Sequence, residues 1–194
     1  MEVFAALRQH VDKVIPLTDE ESARASALFT VKKLRKKQFL VQQGDVCKYE
    51  SFVVSGCLKS YYTDEQGHDH ILRFSVEDWW ASDLKSLQTN TPASFSIEAI
   101  EPATLLVIDK VGLEKLYVEV PKFEKFFRIL NENALTATAQ RVINNLSLPA
   151  KERYQLFLQA YPRIAQRIPL KDIASYLGIT PVFLSQLRKD MMTE

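Results

Sequence analysis

The segment 170–189, LKDIASYLGITPVFLSQLRK, restricts the fold of this 194-residue chain more than any other stretch. Ala174 is small enough for a second helix to approach, and Gly178 suits a left-handed turn residue. Thr180 and Pro181 give an N-cap followed by proline at the first helical position. The pattern predicts a helix-turn-helix, two short helices that cross at a steep angle. Apolar residues recur where the two helices must bury their contact: Ile173, Leu177, Ile179, Leu184 and Leu187.

The second helix of this pair is expected to leave one face exposed, and that face fits the major groove of DNA. Gln186 is suited to a bidentate contact with adenine, and Val182 to a thymine methyl group. Thr180 and Ser185 are suited to holding phosphates. The residues predicted to point away from the core are Thr180, Pro181, Val182, Ser185, Gln186 and Lys189.

Positive charge is concentrated in the same terminal part of the chain. Seven basic and four acidic residues follow residue 146, a net charge of +3, whereas the rest has 18 basic and 20 acidic residues, a net charge of −2. Lys171, Arg188 and Lys189 are expected to attract phosphates whatever the base sequence, which makes binding sensitive to salt. The alternative is a helical hairpin with a structural role only, in which these residues are solvated surface positions.

A block of short β-type runs lies between residues 36 and 109. The runs QFLVQQGD, ESFVVSGCLKSYY, HILRF, FSIEAIE and ATLLVID are separated by turn-like segments that contain Gly44, Gly56 and Gly67. Many short strands at this spacing predict a sandwich or jelly roll of about eight strands. Ahead of the block, Thr18 and Glu21 form a capping box that predicts a helix over TDEESARASALF.

A long helix is predicted after Pro121, preceded by a short helix that Asp109 caps and followed by another over LPAKERYQLFLQAYP. One stripe on the long helix has apolar residues spaced four, three, four and three apart, which is typical of a helix that packs along another helix. Either the helix lies on its own β-domain or the stripe is a dimer seam, and both interpretations can hold on different faces. The stripe consists of Phe123, Phe127, Leu130, Ala134 and Ala137.

The composition, 46% hydrophobic and 25% charged residues, is typical of a globular protein. No apolar run approaches the roughly 20 residues of a membrane span. The N-terminal segment mixes acidic residues into any candidate signal, so we expect a cytoplasmic protein without a membrane partner. Cys47 and Cys57, the only cysteines, are expected in the core rather than in a disulfide or metal site.

The stretch GHDH raises the alternative of a metal enzyme. His68 and His70 have the spacing of two cupin ligands, but the nearest following glutamate is Glu77 and the only other histidine is His10. A predicted hairpin turn favours solvent exposure of both histidines, and a haem sensor would need the same side chains. We therefore expect no metal, no cofactor and no enzymatic activity.

A jelly roll followed by a long helix and a terminal helix-turn-helix resembles the Crp/Fnr family of bacterial transcription regulators. GDVCKYESFVVSGCLKSYYTDEQGHDHILRF and SFSIEAIEPATLLVID are similar to its effector-binding β-domain. AKERYQLFLQAYPRIAQRIPLKDIASYLGITPVFLSQLRK is similar to the DNA-binding half of many Bacteroidetes members. The resemblance implies an α+β fold: a cyclic nucleotide-binding-like jelly roll over 1–120, a dimerisation helix over 121–146 and a winged-helix-like helix-turn-helix over 147–194.

The resemblance also implies partners. They are a second copy of the chain, double-stranded DNA with a two-fold symmetric operator, a small-molecule effector and RNA polymerase. Because few residues follow the motif, no β-hairpin wing is expected after the recognition helix.

The effector cassette departs from the family's pattern. Members that bind cyclic AMP have a Gly-Glu pair and, some ten residues on, an arginine step, where this chain has Ala93 and Ser94. A buried phosphate would lack its bidentate partner, so cyclic AMP is not the expected effector. The tryptophans of the cassette also fit ordinary packing. The residues left for a different effector are Trp79, Trp80, Asp83, Lys85 and Ser94.

The recognition helix departs as well. Where family members often have an Arg-Glu pair and a later arginine, this chain has Pro181, Val182 and Gln186. The family's usual operator is therefore not expected. A ligand- or partner-binding sensor that has lost DNA reading is the alternative function.

Overall fold

In the part of the chain that the structure describes, eight short strands form two antiparallel sheets of four strands each. The structure is a computed structural model that describes residues 2–162 and 166–193. The first sheet has the order β1-β8-β3-β6 and the second the order β2-β7-β4-β5, which confirms the predicted jelly roll. The strands are β1 (Thr30–Leu34), β2 (Phe39–Val41), β3 (Tyr49–Ser55), β4 (Leu58–Thr63), β5 (Asp69–Ser75), β6 (Trp80–Ala81), β7 (Ser96–Ala99) and β8 (Ala103–Asp109). β1 lies ahead of the predicted block.

The two sheets enclose an apolar core because alternate residues of each strand face inward. Leu58, Ile97 and Leu105 are completely buried in it. Gly56 makes the turn between β3 and β4 with a φ of 97°. A Cβ atom there would lie 2.6 Å from the carbonyl oxygen of Pro102, so the turn can approach the β7–β8 connection only as glycine.

The hairpin of β4 and β5 ends the second sheet, with Tyr61 opposite Ile71. β5 pairs with β4 on one side only, so its outer edge presents backbone groups that need other partners. The predicted turn between these strands holds His68, whereas His70 lies in β5 opposite Tyr62, and both side chains are exposed.

Two helices precede the sheets, α1 (Glu2–Asp12) and α2 (Asp19–Ala27). The predicted capping box is present in α2: the hydroxyl of Thr18 accepts a hydrogen bond from the amide of Glu21, and the Glu21 carboxylate accepts one from the amide of Thr18. No local pattern in the sequence predicted α1. Its residues Leu7 and Val11 are buried against Phe52 of β3, so tertiary packing stabilises a helix that carries only a short apolar stripe.

α3 (Leu84–Thr89) lies between β6 and β7, and two further helices, α4 (Lys110–Glu119) and α5 (Lys122–Ser147), connect the sheets to the terminal motif. The Asp109 carboxylate caps α4 by accepting a hydrogen bond from the amide of Gly112 at 2.7 Å. α4 ends at Glu119, and Leu116 and the following Val120 are both buried in the core.

The predicted stripe on α5 faces the chain's own β-domain. Phe123 and Phe127 are buried in the cluster that holds Trp80, whose ring centroid lies 4.9 Å from that of Phe127. Leu130 packs against the same cluster, whereas Ala134 and Ala137 are exposed. Of the two interpretations left open by the sequence, packing on the chain's own domain accounts for the first three residues of the stripe.

The last three helices are α6 (Ala150–Ala160), α7 (Leu170–Leu177) and α8 (Pro181–Thr193). They share a second hydrophobic cluster with the β4–β5 hairpin, in which Phe157 of α6 and Ile173 of α7 pack with Phe74 of β5. None of the helices within residues 2–162 and 166–193 is both long and apolar enough to cross a membrane.

Candidate nucleic-acid interface

The turn between α7 and α8 has the geometry that its sequence predicts. Gly178 ends α7 in the left-handed region with a φ of 66°. The hydroxyl oxygen of Thr180 accepts a hydrogen bond from the amide of Phe183 at 3.2 Å, which makes Thr180 the N-cap of α8. Leu184 of α8 is completely buried between the helices, and Ala174 of α7 is completely buried as well. The two helices therefore form one rigid unit.

The opposite side of α8 is exposed. Pro181, Val182, Gln186, Arg188 and Lys189 all lie on the surface, and the Val182 side chain is 80% exposed. The predicted contacts Thr180 and Lys171 are exposed at the start of α8 and of α7. Seven of the eight predicted DNA-binding residues are thus exposed, and Ser185 is half-buried.

The two hydroxyl groups predicted to hold phosphates differ in what they can offer. Thr180 uses its oxygen as an acceptor in the helix cap, so its hydrogen remains available for a phosphate. Ser185 donates its hydroxyl hydrogen to the carbonyl oxygen of Pro181 at 2.9 Å. Because a phosphate needs a donor, Ser185 does not provide one in this rotamer.

The helix-turn-helix packs against the outer edge of β5. The Ser175 hydroxyl donates to the carbonyl oxygen of Asp69 at 2.8 Å and accepts from the amide of Ile71 at 3.0 Å. Arg141 of α5 donates to the carbonyl oxygens of Ile71 and Leu72 on the same edge. The edge groups that lack a neighbouring strand are therefore satisfied by side chains of α7 and α5.

Aromatic side chains continue this contact. The Arg141 guanidinium lies over the ring of Tyr176, 4.3 Å from its centroid. Tyr176 in turn packs against Phe74 of β5 and Phe157 of α6, with centroid distances of 5.6 and 5.4 Å. Tyr161 packs edge-to-face on Phe74, and burial raises the pKa of its hydroxyl. α5, α6, α7 and β5 are thereby joined through one aromatic cluster.

Three ion pairs cross the same boundary. Lys59 of β4 pairs with Asp172 of α7 at 3.6 Å, with both side chains less than a tenth exposed. Burial raises the pKa of Asp172, and the Lys59 ammonium acts against that rise. Arg167, in the loop before α7, pairs with both Glu77 and Glu101. Sequence reasoning did not predict these contacts, because the partners are distant in the chain and none forms a motif.

The residues predicted for an effector do not converge on one pocket. Trp80 is buried in the core, and Trp79 packs on Tyr161 with centroids 5.6 Å apart. Lys85 and Ser94 have exposed side chains.

Asp83 organises the cassette around α3 and is itself buried. One carboxylate oxygen accepts from the amide of Ser86 at 3.0 Å, and the other accepts from the amide of Ser94 at 2.9 Å. Both oxygens are therefore used to shape the loop. Asp83 caps α3 in this arrangement, a role that keeps its carboxylate away from solvent.

A cavity of about 90 Å³ lies nearby, where α3, α4 and α5 meet β3. Glu50 lines it with a carboxyl group that accepts a hydrogen bond from the Ser82 hydroxyl at 2.6 Å. Burial raises the pKa of Glu50 to about 7, against the opposing effect of that hydrogen bond and of the nearby Arg73. Tyr117 and Phe127 form part of the cavity wall. Sequence reasoning missed Glu50, since a single glutamate in a strand carries no pattern.

Two exposed histidines, His68 of the β4–β5 turn and His70 of β5, lie close to one carboxylate. Asp64 lies 2.8 Å from Nε2 of His70 and 3.6 Å from Nδ1 of His68. The hydrogen bond from His70 is the main cause that lowers the pKa of Asp64 to about 2. No three His, Cys, Asp or Glu side chains come close enough to hold a metal ion in the described parts of the chain.

Comparison with known proteins extends the resemblance. The family model for the cyclic nucleotide-binding domain matches residues 31–119. The fumarate and nitrate reduction regulatory protein of Vibrio cholerae serotype O1 is 28% identical over 170 residues, which cover 80% of this chain and 66% of that protein. The matched region thus spans slightly less than two thirds of that relative.

Solved structures share the fold. FixK2 from Bradyrhizobium japonicum has a TM-score of 0.75 at 20% identity, with 85% of each chain covered. The c-di-GMP responsive regulator CLP of Xanthomonas campestris has a TM-score of 0.74 at 12% identity, with 91% of this chain and 92% of that one covered. The catabolite activator protein of Thermus thermophilus has a TM-score of 0.60 at 20% identity, with 95% of this chain and 87% of that one covered. The chain therefore contains a cyclic nucleotide-binding domain, and its resemblance to the Crp/Fnr family of transcription regulators extends to the sequence of one regulator and to the fold of these structures.

Proposed function

We propose that the chain is a homodimeric transcription regulator that binds specific DNA sequences through α8. The observation that carries the proposal is the two-sided character of α8. Leu184 is completely buried against α7, while Val182, Gln186 and Lys189 on the opposite side are exposed to solvent. A recognition helix needs this arrangement, because one side must be fixed by its own domain while the other enters the major groove.

The charges around α8 support binding to a polyanion. Lys171, Arg188 and Lys189 are exposed on the helix-turn-helix, and the Thr180 hydroxyl hydrogen is available at the N-terminus of α8. Such contacts go mainly to phosphates, so they position the protein without reading sequence. Binding should therefore weaken as salt rises, since phosphate neutralisation releases counterions.

A second copy of the chain is the proposed partner of α5. Its C-terminal half is mostly exposed and carries a second apolar stripe with spacing of four, three and four residues, Leu135, Ala139, Val142 and Leu146. The Leu146 side chain is 85% exposed and that of Leu135 is 72% exposed. Because the stripe is self-complementary, a parallel pair of α5 helices would bury it and bring two copies of α8 to a two-fold symmetric operator. This stripe replaces Phe123 and Phe127 as the proposed seam.

The proposed division of the chain is an effector domain over 1–120, a dimerisation helix over 121–146 and a DNA-binding domain over 147–194. Residue 1, residues 163–165 and residue 194 within it lie outside the described part of the chain. We propose a small-molecule effector other than cyclic AMP. The cavity beside Glu50 supports this, because it is bounded by α5 and any group bound there would contact the dimerisation helix.

We place this regulator in the cytoplasm, with double-stranded DNA and RNA polymerase as its macromolecular partners. The proposed role is regulatory and not catalytic. The alternative is a sensor that has kept the fold but does not read DNA, and the two proposals differ in what a DNA pool would yield.

The test is selection of bound duplexes from a random pool by the full-length protein, at two salt concentrations and with or without extracted metabolites. The expected result is an enriched palindrome whose two half-sites lie about one helical turn apart. Enrichment should fall at the higher salt, and dependence on metabolites would support an effector. A pool that stays random at low salt would contradict DNA reading and favour the sensor.

A further inference from the structure

We infer that α8 reads an adenine–thymine pair in each half-site, with Gln186 as the base-contacting residue and Asp190 as the residue that positions it. This inference rests on the proposed function. Val182, Gln186 and Asp190 are spaced four residues apart on α8, so they share one face of the helix, and all three are exposed. On the face turned to a major groove, the methyl groups of Val182 therefore lie one turn before the Gln186 amide, and the Asp190 carboxylate lies one turn after that amide.

The Gln186 amide is held in one orientation. Its Nε2 donates a hydrogen bond to a carboxylate oxygen of Asp190 at 2.7 Å. If the amide were flipped, its carbonyl oxygen would face a carboxylate oxygen, and two acceptors repel each other. The nitrogen end of Gln186 is therefore fixed towards Asp190 and the carbonyl end away from it.

This orientation decides which base the amide can pair with. One of the two Nε2 hydrogens is used by Asp190, so Gln186 can offer a base one donor and one acceptor. Adenine presents one acceptor, N7, and one donor, the N6 amino group, in the major groove. Guanine presents two acceptors there, N7 and O6, which an amide with one remaining hydrogen cannot satisfy. Asp190 thus makes Gln186 selective for adenine over guanine.

Val182 supports the same reading. Its side chain is 80% exposed at the start of α8, where it has little contact with its own chain. Thymine is the base that presents an apolar group, its 5-methyl, in the major groove. Burial of an exposed branched aliphatic side chain against that methyl group lowers the free energy of binding, whereas contact with the polar edges of cytosine or guanine does not.

The test uses the operator selected by the full-length protein. Each adenine of a half-site is replaced in turn by 7-deazaadenine, which lacks N7, and each thymine by uracil, which lacks the 5-methyl group. We expect one adenine per half-site at which the replacement weakens binding about 5- to 100-fold. That loss should disappear in Gln186→Ala, and the sensitivity to uracil should disappear in Val182→Ala.

Variants of Asp190 separate positioning from a structural role. Asp190→Ala should lower the preference for adenine over guanine at the sensitive position. Its affinity for random duplex should not decrease, since the substitution removes a negative charge near the phosphates. Asp190→Asn keeps an acceptor oxygen and should retain the preference. The matched control is Arg188→Ala, which should weaken binding to all duplexes alike and leave the ratio of adenine to guanine unchanged.

Two results would overturn the inference while leaving DNA binding intact. One is an enriched operator in which no adenine responds to 7-deaza substitution. The other is Asp190→Ala with an unchanged preference between adenine and guanine. Failure to enrich any operator at low salt is a different outcome, since it contradicts the proposed function itself.

Discussion

Lys59 and Asp172 form a buried ion pair between the β4–β5 hairpin and α7, with 3.6 Å between the ammonium nitrogen and the carboxylate. The two residues belong to the two units that the sequence separates, the jelly roll and the helix-turn-helix. A charge left alone at this boundary would be costly, because water cannot replace the lost partner. The pair therefore ties the orientation of α8 to that of the second sheet.

Removing one member of this pair should destabilise the protein. Lys59→Met is expected to lower the free energy of unfolding by about 3–5 kcal/mol, since it leaves the Asp172 carboxylate buried without a cation. The double variant Lys59→Met with Asp172→Leu should recover most of that loss. Denaturant unfolding of the three proteins measures both effects, and an equal cost for single and double variants would contradict the argument.

The cost of Lys59→Met should also depend on pH. Burial already raises the pKa of Asp172, and without Lys59 only the charge of Lys171 opposes that rise. A raised pKa in the folded state contributes stability at low pH that is lost as pH increases. The deficit relative to the unmodified protein is therefore expected to be larger at pH 8 than at pH 5.

The Ser175 hydroxyl should contribute more to the free energy of unfolding than the hydroxyl of an ordinary surface serine, because it forms hydrogen bonds with two backbone groups of the β5 edge. Ser175→Ala is expected to cost about 1–3 kcal/mol of unfolding free energy. Hydrogen exchange at the amide of Ile71 should accelerate at the same time. Ser147→Ala is the matched control, since that hydroxyl donates only to a carbonyl within its own exposed helix.

The proposed dimer seam predicts a change of oligomeric state. Val142→Glu together with Leu146→Glu would place carboxylates in the seam, where two copies would face each other without neutralisation. We expect a monomer in sedimentation equilibrium and loss of binding to a two-fold operator. The control is Val118→Glu on α4, an apolar residue that is 80% exposed but lies outside the stripe. A dimer that persists in the double variant would place the interface elsewhere.

Glu50 predicts a pH-dependent stability. Its pKa of about 7 lies above the value of 4.5 for an exposed glutamate, so the folded state binds a proton that the unfolded state has released between these two values. The free energy of unfolding should therefore fall as pH rises from about 4.5 to 7, by up to about 3 kcal/mol, and stay level above that range.

Glu50→Gln should remove this fall, because the amide keeps the hydrogen-bonding shape without a charge. Compared with the unmodified protein, the variant should gain stability at pH 8 and little at pH 4.5. Glu124→Gln, at an exposed position on α5, serves as the control. Parallel pH profiles for Glu50→Gln and the unmodified protein would show that Glu50 does not titrate in this range.

Local patterns predicted most of the elements in this chain. Three helix starts were predicted from their capping residues, and the structure contains all three, because a cap depends on atoms a few residues apart. The capping residues are Thr18 with Glu21, Asp109, and Thr180 with Pro181. The strand runs predicted the jelly roll for a similar reason, since alternation and turn glycines act within a few residues. α1 was missed because its stability comes from packing on β3 and not from its own sequence.

Side-chain partners far apart in the chain were decided by tertiary structure alone. The sequence by itself determined a jelly roll, a long helix and a helix-turn-helix, and it determined that Gln186 and Val182 share the outer face of the last helix. It left open which side of α5 faces inward, and packing placed Phe123 and Phe127 in the chain's own core. Only the folded chain brings Asp172 to Lys59, Ser175 to the β5 edge and Glu50 to the cavity between α3, α4 and α5, because burial and charge pairing depend on three-dimensional neighbours and not on spacing along the chain.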